Sequence, residues 1–391
     1  MSGDPISMLP PLTAEQSAHS DRVLAALRAA IEAHDGWLAF DDYLRTALYH
    51  PGLGYYSAGS VKIGSDGDFV TAPELSPLFA QCVAVHCASV LQALGDGQIL
   101  ELGGGTGRFA HDLLLQLASL NRMPRHYGIL EVSAELRDRQ RRMLQQLPPG
   151  IRGCVEWLES LPDQPFRGIV LANEVADALP FKRFVVRDDR MLERGVALGK
   201  DGSLTDSDRD ADAALRAELA RLAPEGWPAH YRSEVCPLLN PWIASLARTL
   251  SGGELLLFDY GLPRHEYYHA QRSHGTLRCH FRHRAHDQPL LHPGVQDITA
   301  WVDFTRIAEA AVDANLEVAG FCTQTAFLLE TGIEAQVAQA QDNVTRARLA
   351  SQARVLLLPG EMGENVKVIC LTRGLESRPV GFALQDLRRS L

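Results

Sequence analysis

The residues best equipped for chemistry begin with the run Glu101-Leu102-Gly103-Gly104-Gly105-Thr106-Gly107. It follows a predicted strand at Ile99–Leu102 and precedes a predicted helix over Arg108–Leu120. Glycines at such a junction let the backbone turn tightly and approach a ligand closely, while the helix start presents free N–H groups. Glu131 ends the next predicted strand, where a carboxylate can take ribose hydroxyls. Gly105, Gly107 and Ala110 also fit the G-x-G-x-x-(G/A) pattern of dinucleotide sites, so the turn alone leaves two cofactor classes open. Glu101 favours S-adenosylmethionine (SAM), because a carboxylate there would hold the methionine ammonium but repel a pyrophosphate. The glycines at 103, 105 and 107 are also spaced as in SAM sites.

A second constellation is Asn173-Glu174-Val175-Ala176-Asp177-Ala178-Leu179-Pro180, placed after the fourth predicted strand. Ligands in open α/β sheets sit at the carboxyl ends of strands, so this segment is expected to face the transferring methyl. Glu174 and Asp177 would share a face if the segment were helical. Paired carboxylates can grip a guanidinium in two places and help remove its proton. The plainer alternative is an N-cap by Asn173 with Glu174 in the first turn. Tyr260 follows a strand that ends at Asp259, and its ring could pack on a guanidinium; a core tyrosine with a satisfied hydroxyl is the alternative.

The elements that must position these residues alternate. Strands at Ile99–Leu102, His126–Leu130, Cys154–Trp157 and Gly168–Ala172, with helices at Arg108–Leu120 and Ala134–Leu147, predict a parallel, doubly wound α/β sheet. The pattern resumes with helix Pro237–Leu250, strand Glu254–Asp259, helix Asp303–Ala314, strand Leu316–Phe321, helix Ile333–Leu349 and strand Val366–Thr372. A capping box is expected at Thr13 and Gln16, ahead of a helix running to His34. Phe184–Arg187 and Arg194–Leu198 read as a hairpin, and residues 201–230 as a polar surface excursion. Seven of the 14 histidines fall between His265 and His292, in a long insertion over 261–300. Its His280, His283 and His286 match no common zinc spacing, and the interleaved Arg278, Arg282 and Arg284 would oppose a cation, so no metal is expected. The insertion reads as a substrate or lid loop, or as a structural one.

Composition narrows the function classes. The 391 residues are 46% hydrophobic and 22% charged, as in an ordinary globular protein, and the net charge of −10 argues against nucleic acid as a partner. Cysteines at 82, 87, 154, 236, 279, 322 and 370 contain no C-x-x-C pair and read as buried thiols in a reducing compartment. The apolar runs Leu255–Phe258 and Val355–Leu358 are too short for a membrane span, and no membrane insertion is expected. The N-terminus lacks a basic or apolar targeting region and carries Asp4, Glu15, Asp21 and Glu32, so a cytoplasmic location is expected. No G-x-S-x-G or G-x-x-x-x-G-K-(S/T) run supports a hydrolase or kinase.

Five motifs in order carry a family resemblance: Gly67-Asp68-Phe69-Val70-Thr71-Ala72-Pro73-Glu74, Glu101–Gly107, Asn173–Pro180, Phe258-Asp259-Tyr260-Gly261 and His283-Arg284-Ala285-His286-Asp287. Together they resemble the MidA family of SAM-dependent methyltransferases, whose mitochondrial members are complex I assembly factors and protein arginine methyltransferases. The resemblance implies a class I methyltransferase fold with an N-terminal helical cap and a cofactor-closing loop over 1–95. The methyltransferase domain would span 96–375, with insertions at about 184–235 and 261–300 and a tail at 376–391. It implies that Gly103, Gly104, Gly105 and Gly107 line the methionine end of SAM and that Glu131 takes the ribose. Glu156 or Trp157 would lie near the adenine, Asn173 would join the cofactor site, and Thr71, Pro73 and Glu74 would close over it. Glu174 and Asp177 would match the acidic loop that grips the substrate, beside the Tyr260 read above from its place after the strand. The expected reaction is methyl transfer to a protein arginine nitrogen, with a respiratory-complex subunit among the possible clients. A non-enzymatic assembly factor and a small-molecule N-methyltransferase remain the alternatives.

Overall fold

Short apolar runs alternating with helices build a mainly parallel sheet. The computed structural model describes residues 9–57, 71–188, 190–223, 225–376 and 379–391. The Gly67–Val70 part of the first family motif lies outside the described residues. The chain divides into two units, one of 1–69, 178–238 and 264–301, the other of 70–177, 239–263 and 302–391.

The second unit carries the sheet. Its strands are β1 (Gln98–Leu102), β2 (Tyr127–Leu130), β3 (Val155–Leu158), β4 (Phe166–Asn173), β5 (Leu250–Leu262), β6 (Glu317–Thr323) and β7 (Val366–Arg373). They lie in the order β3-β2-β1-β4-β5-β7-β6, and Val302–Asp303 adds a short eighth strand beside Gly261 and Leu262. Strands β1 to β5 pair in parallel, and β7 runs antiparallel between β5 and β6. The run Ile169–Ala172 is buried, as expected for a parallel strand covered on both faces. The order reverses between β1 and β4, so the ends of β1, β2 and β4 open on one crevice.

Helix Pro77–Leu94 belongs to this unit, not to a cap ending at residue 95. Ser76 caps its start, Pro77 opens it, and Gly95 at φ +76° ends it. Among the described residues it is the one helix long and apolar enough to cross a membrane. Its Phe79 instead packs on Phe109 and Phe258, at 5.7 and 5.1 Å between ring centroids. An apolar surface on most sides explains why it docks on the sheet. Residues 379–391 are not a loose tail either: Phe382 is fully buried, and Glu330 accepts the backbone N–H groups of Gly381, Ala383 and Leu384.

The first unit joins the N-terminal segment to both insertions. Helix Ala14–Ala33 starts at the expected capping box of Thr13 and Gln16. The hairpin is formed by Lys182–Arg187 and Arg190–Leu198. The expected polar excursion is folded: Leu204–Asp210 extends that sheet, and Ala213–Leu222 is a helix burying Leu215 and Leu219. The His-rich insertion holds a three-stranded sheet of Arg278–Phe281, Arg284–His286 and Asp297–Thr299. Cys279 pairs with His286 and His280 with Ala285, so His280 and His286 face opposite sides of the hairpin and do not converge.

Candidate active site

The glycine turn sits between β1 and helix Arg108–Ser119. Gly103, Gly105 and Gly107 have φ of +64°, +52° and +88°, a region costly for any other residue. Gly107 also admits a neighbour: a Cβ there would lie 2.9 Å from Gln140 Cα. Thr106 of the turn donates its hydroxyl to Glu74, which ties the short helix Ala72–Leu75 to the turn. Within the Thr71–Glu74 segment, Glu74 is the residue bonded to the glycine turn. Thr71 and Pro73 flank it, with Pro73 buried in that helix.

Three polar groups line the ends of the neighbouring strands. Glu101 on β1 is buried and accepts the Tyr127 hydroxyl at 2.9 Å. Burial pushes its carboxyl up to about 8, against the lowering effect of the Tyr127 bond. Glu131 follows β2 and accepts Ser133 N–H at 2.9 Å and Gln140 Nε2 at 3.1 Å. Burial raises its carboxyl too, opposed by those same hydrogen bonds. Trp157 on β3 donates its indole N–H to Gln140 Oε1 at 3.0 Å. Glu156 is exposed and points to the other face of β3, so the structure brings Trp157 to this group and not Glu156.

The Asn173–Asp177 segment is not a helix. It wraps around one carboxylate: Asp259 Oδ2 accepts the backbone N–H of Val175, Ala176 and Asp177 at 3.2, 2.8 and 3.3 Å. Its Oδ1 accepts Tyr260 N–H at 2.9 Å. Burial lifts the Asp259 carboxyl to about 7 despite these four bonds. Glu174 takes φ +52°, rare for a residue with a side chain, and strain of that kind concentrates at functional sites. Asn173 Nδ2 donates to Glu174 Oε1 at 3.1 Å, while Asn173 Oδ1 is buried with no hydrogen-bond partner. Burial raises the Tyr260 hydroxyl, and the charges of Glu174, Asp177, Asp259 and Glu361 raise it further. The same-face argument for Glu174 and Asp177, which assumed a helix, is replaced by this turn around Asp259.

A family model described as "Putative S-adenosyl-L-methionine-dependent methyltransferase" matches residues 82–322. The chain belongs to this methyltransferase family. It is 30% identical over 367 residues to the mitochondrial protein arginine methyltransferase NDUFAF7 of Danio rerio, covering 84% of this chain and 82% of the relative. It is 28% identical over 372 residues to the Bos taurus protein of the same name, covering 86% and 80%. A Burkholderia thailandensis structure bound to S-adenosyl-homocysteine is 40% identical, with a TM-score of 0.94 over 98% of this chain and 100% of that one. The enzyme is therefore a SAM-dependent methyltransferase of the expected fold, and the dinucleotide and non-enzymatic readings fall away. The cytoplasmic expectation is corrected: the curated relatives are named as mitochondrial.

The chemistry of the donor set fits SAM. Positive-φ glycines leave a side-chain-free turn, two buried carboxyls offer oxygens to an ammonium and a diol, and Asn173 Oδ1 is an orphaned acceptor. Sequence reasoning passed over Gln140, Asp259 and Glu361 as site residues. Asp259 did stand inside a quoted motif. Gln140 had a weaker signal, as the one polar residue on the buried stripe Leu136, Gln140, Leu144.

Proposed function

We propose that this methyltransferase acts on an arginine nitrogen of a protein, and that Glu174 and Asp177 bind the guanidinium beside Tyr260. The observation that carries the reading is the turn of Val175, Ala176 and Asp177 around the Asp259 carboxylate, with Glu174 at φ +52°, which holds Glu174 and Asp177 just past the carboxyl end of β4. Such a site favours a cation, and arginine is a planar cation suited to two-pronged carboxylate contacts. The names of the curated relatives support the same substrate class.

Bound SAM supplies an electrophilic methyl on its sulfonium. On the enzyme side, Gly103, Gly104, Gly105 and Gly107 would cradle the methionine end and Glu101 would hold its ammonium. Glu131 would take the ribose, Trp157 would border the adenine, and Asn173 would offer Oδ1 to the cofactor. Thr71, Pro73 and Glu74 would close the cofactor end through the contact of Glu74 with the glycine turn. Glu174 and Asp177 would align the guanidinium, concentrate its electron density on one nitrogen and accept the proton that leaves it. Tyr260 would pack on the guanidinium face.

The test is methylation of arginine-containing client protein, read by mass spectrometry, with Glu174→Gln compared against wild type. The reading expects turnover on arginine that Glu174→Gln abolishes while S-adenosylhomocysteine still binds. Methylation by Glu174→Gln at the native rate, or methyl found only on other residues or on small amines, would overturn it. The family resemblance makes a respiratory-complex subunit the first client class to try.

A further inference from the structure

We propose that Gln140 is a positioning residue for cofactor recognition, locking the glycine turn, the Glu131 carboxylate and the Trp157 indole into one unit. The inference rests on the cofactor placement proposed above.

Helix Ala134–Leu144 buries Leu136, Gln140 and Leu144 along one stripe. A fully buried amide in an apolar row is costly unless every polar atom is bonded. Here every one is. Nε2 donates to Gly105 O at 2.9 Å and to Glu131 Oε2 at 3.1 Å, and Oε1 accepts Trp157 Nε1–H at 3.0 Å. The amide orientation is forced, because the indole can only donate and the carbonyl and carboxylate can only accept.

These three partners come from the ends of β1 and β2 and from β3. They are the groups assigned above to the methionine end, the ribose and the adenine. Glu131 Oε1 is held by Ser133 N–H and Oε2 by Gln140, so the carboxylate plane is fixed before any diol reaches it. Two glycines of the turn lie against this residue, Gly104 against Ile129 Cγ2 as well. A Cβ on Gly107 would meet Gln140 Cα at 2.9 Å, and one on Gly104 would meet Gln140 Nε2 at 3.1 Å. Part of the glycine run is therefore explained by close packing on Gln140 and Ile129 as well as by the ligand.

The isosteric change Gln140→Glu keeps the shape but turns a donor into an acceptor facing Gly105 O and Glu131. Gln140→Met keeps the length without polar atoms and carries the test if Gln140→Glu does not fold. Wild type, both variants and Glu131→Ala are titrated calorimetrically with S-adenosylhomocysteine and with its 2′-deoxyribose analogue. The proposal expects at least tenfold weaker S-adenosylhomocysteine binding in the Gln140 variants and a clearly smaller loss for the deoxy analogue. It also expects Gln140→Glu to regain affinity as pH falls into the carboxylate range, and the SAM KM to change more than kcat. Equal losses for both ligands would reduce Gln140 to a packing residue and overturn the proposal, as would wild-type affinity in both variants. If Glu131→Ala also binds like wild type, the ribose placement itself has failed. Weak binding in Glu131→Ala with native binding in the Gln140 variants would sink the Gln140 proposal alone.

Discussion

The Asp259 carboxylate accepts the backbone N–H of Ala176 at 2.8 Å, across from the end of β4. With the N–H groups of Val175 and Asp177 it forms a three-donor cradle that holds Glu174 and Asp177 in place. Removing it leaves these three donors, and the Tyr260 N–H on its other oxygen, without this acceptor, and each buried unsatisfied group costs about 1–3 kcal/mol. Asp259→Ala is therefore expected to lower kcat at least tenfold while S-adenosylhomocysteine affinity changes little. The carboxyl lies near 7, so wild-type activity should also decline as pH falls below that value and the protonated acid loses acceptor strength. Steady-state rates from pH 5.5 to 8.5, with calorimetry on the variant, check both expectations. An acid limb that persists unchanged in Asp259→Asn would assign it to another group.

Cofactor binding should release a proton. Burial holds the Glu101 carboxyl at about 8, so it is mostly protonated at pH 7 in the free enzyme. A ligand ammonium beside it favours the charged form and draws that value down. The expected release approaches one proton at pH 7 and shrinks as pH rises past 8. Titrations in two buffers of different ionisation enthalpy measure it, and proton uptake would contradict the placement of Glu101. The Glu101→Gln variant should bind about thirtyfold more weakly, taking about 2 kcal/mol for a charge-assisted hydrogen bond.

Much of this was legible from residue order. The glycine run between an apolar strand and an amphipathic helix has a local physical signature, and so does a carboxylate ending the next strand. Glu174 and Asp177 were found by type and position, but their geometry was not, because the turn depends on Asp259, more than 80 positions away, whose partners only the sheet reveals. Gln140 reads locally as one more polar helical residue, and its three bonds reach Gly105, Glu131 and Trp157 on different elements. The folded state of 204–222 was hidden by its charges. Arg194 pairs with Asp208 in two places, so residues that suggested a solvated loop are a strand facing a strand. Helix Pro77–Leu94 was assigned to the cap by its place in the chain, whereas its apolar faces take it to the sheet.

A buried ion pair holds the C-terminal residues to the sheet and should be uncoupled from catalysis. His86 Nε2 meets Glu254 Oε1 at 2.6 Å, and its Nδ1 meets Val380 O. The Val380 carbonyl can only accept, so Nδ1 carries a hydrogen, and an ionised Glu254 beside Nε2 favours a second one and hence the imidazolium. Burial opposes that charge, but Glu254 and the Val380 carbonyl outweigh it and raise the His86 pKa. Cys370 donates its thiol to the second Glu254 oxygen at 3.2 Å, which completes the network. Glu254→Gln or His86→Asn should cost about 3–5 kcal/mol of stability, as for a broken buried pair, with cofactor affinity retained. The sign of the pH effect follows from the raised value. The contribution is full below the unfolded histidine pKa of about 6.5 and fades as pH rises through the folded one. Denaturant melts of wild type and His86→Asn across pH 6 to 9 should converge as pH rises, and a constant gap would show that the charge is not the source.

Tyr260 is expected to bind substrate without acting as the base. A base must lose its own proton near working pH, and burial together with Glu174, Asp177, Asp259 and Glu361 pushes the Tyr260 hydroxyl far above that range. The phenol therefore stays neutral, and in the proposed reaction the proton leaving the substrate nitrogen would go to a carboxylate. Tyr260→Phe keeps the ring over the substrate and removes only the hydroxyl, whose hydrogen bond is worth about 1 kcal/mol. The expected loss in kcat/KM is about fivefold, with the pH profile of kcat unchanged in both limbs. Tyr260→Ala also removes the ring, adding about 0.5–2 kcal/mol of lost cation–π contact, and its loss should appear mainly in the KM for the protein substrate. A disappearance of the alkaline limb in Tyr260→Phe would mean that the phenol does ionise during turnover, and would move the general base from Glu174 and Asp177 to Tyr260.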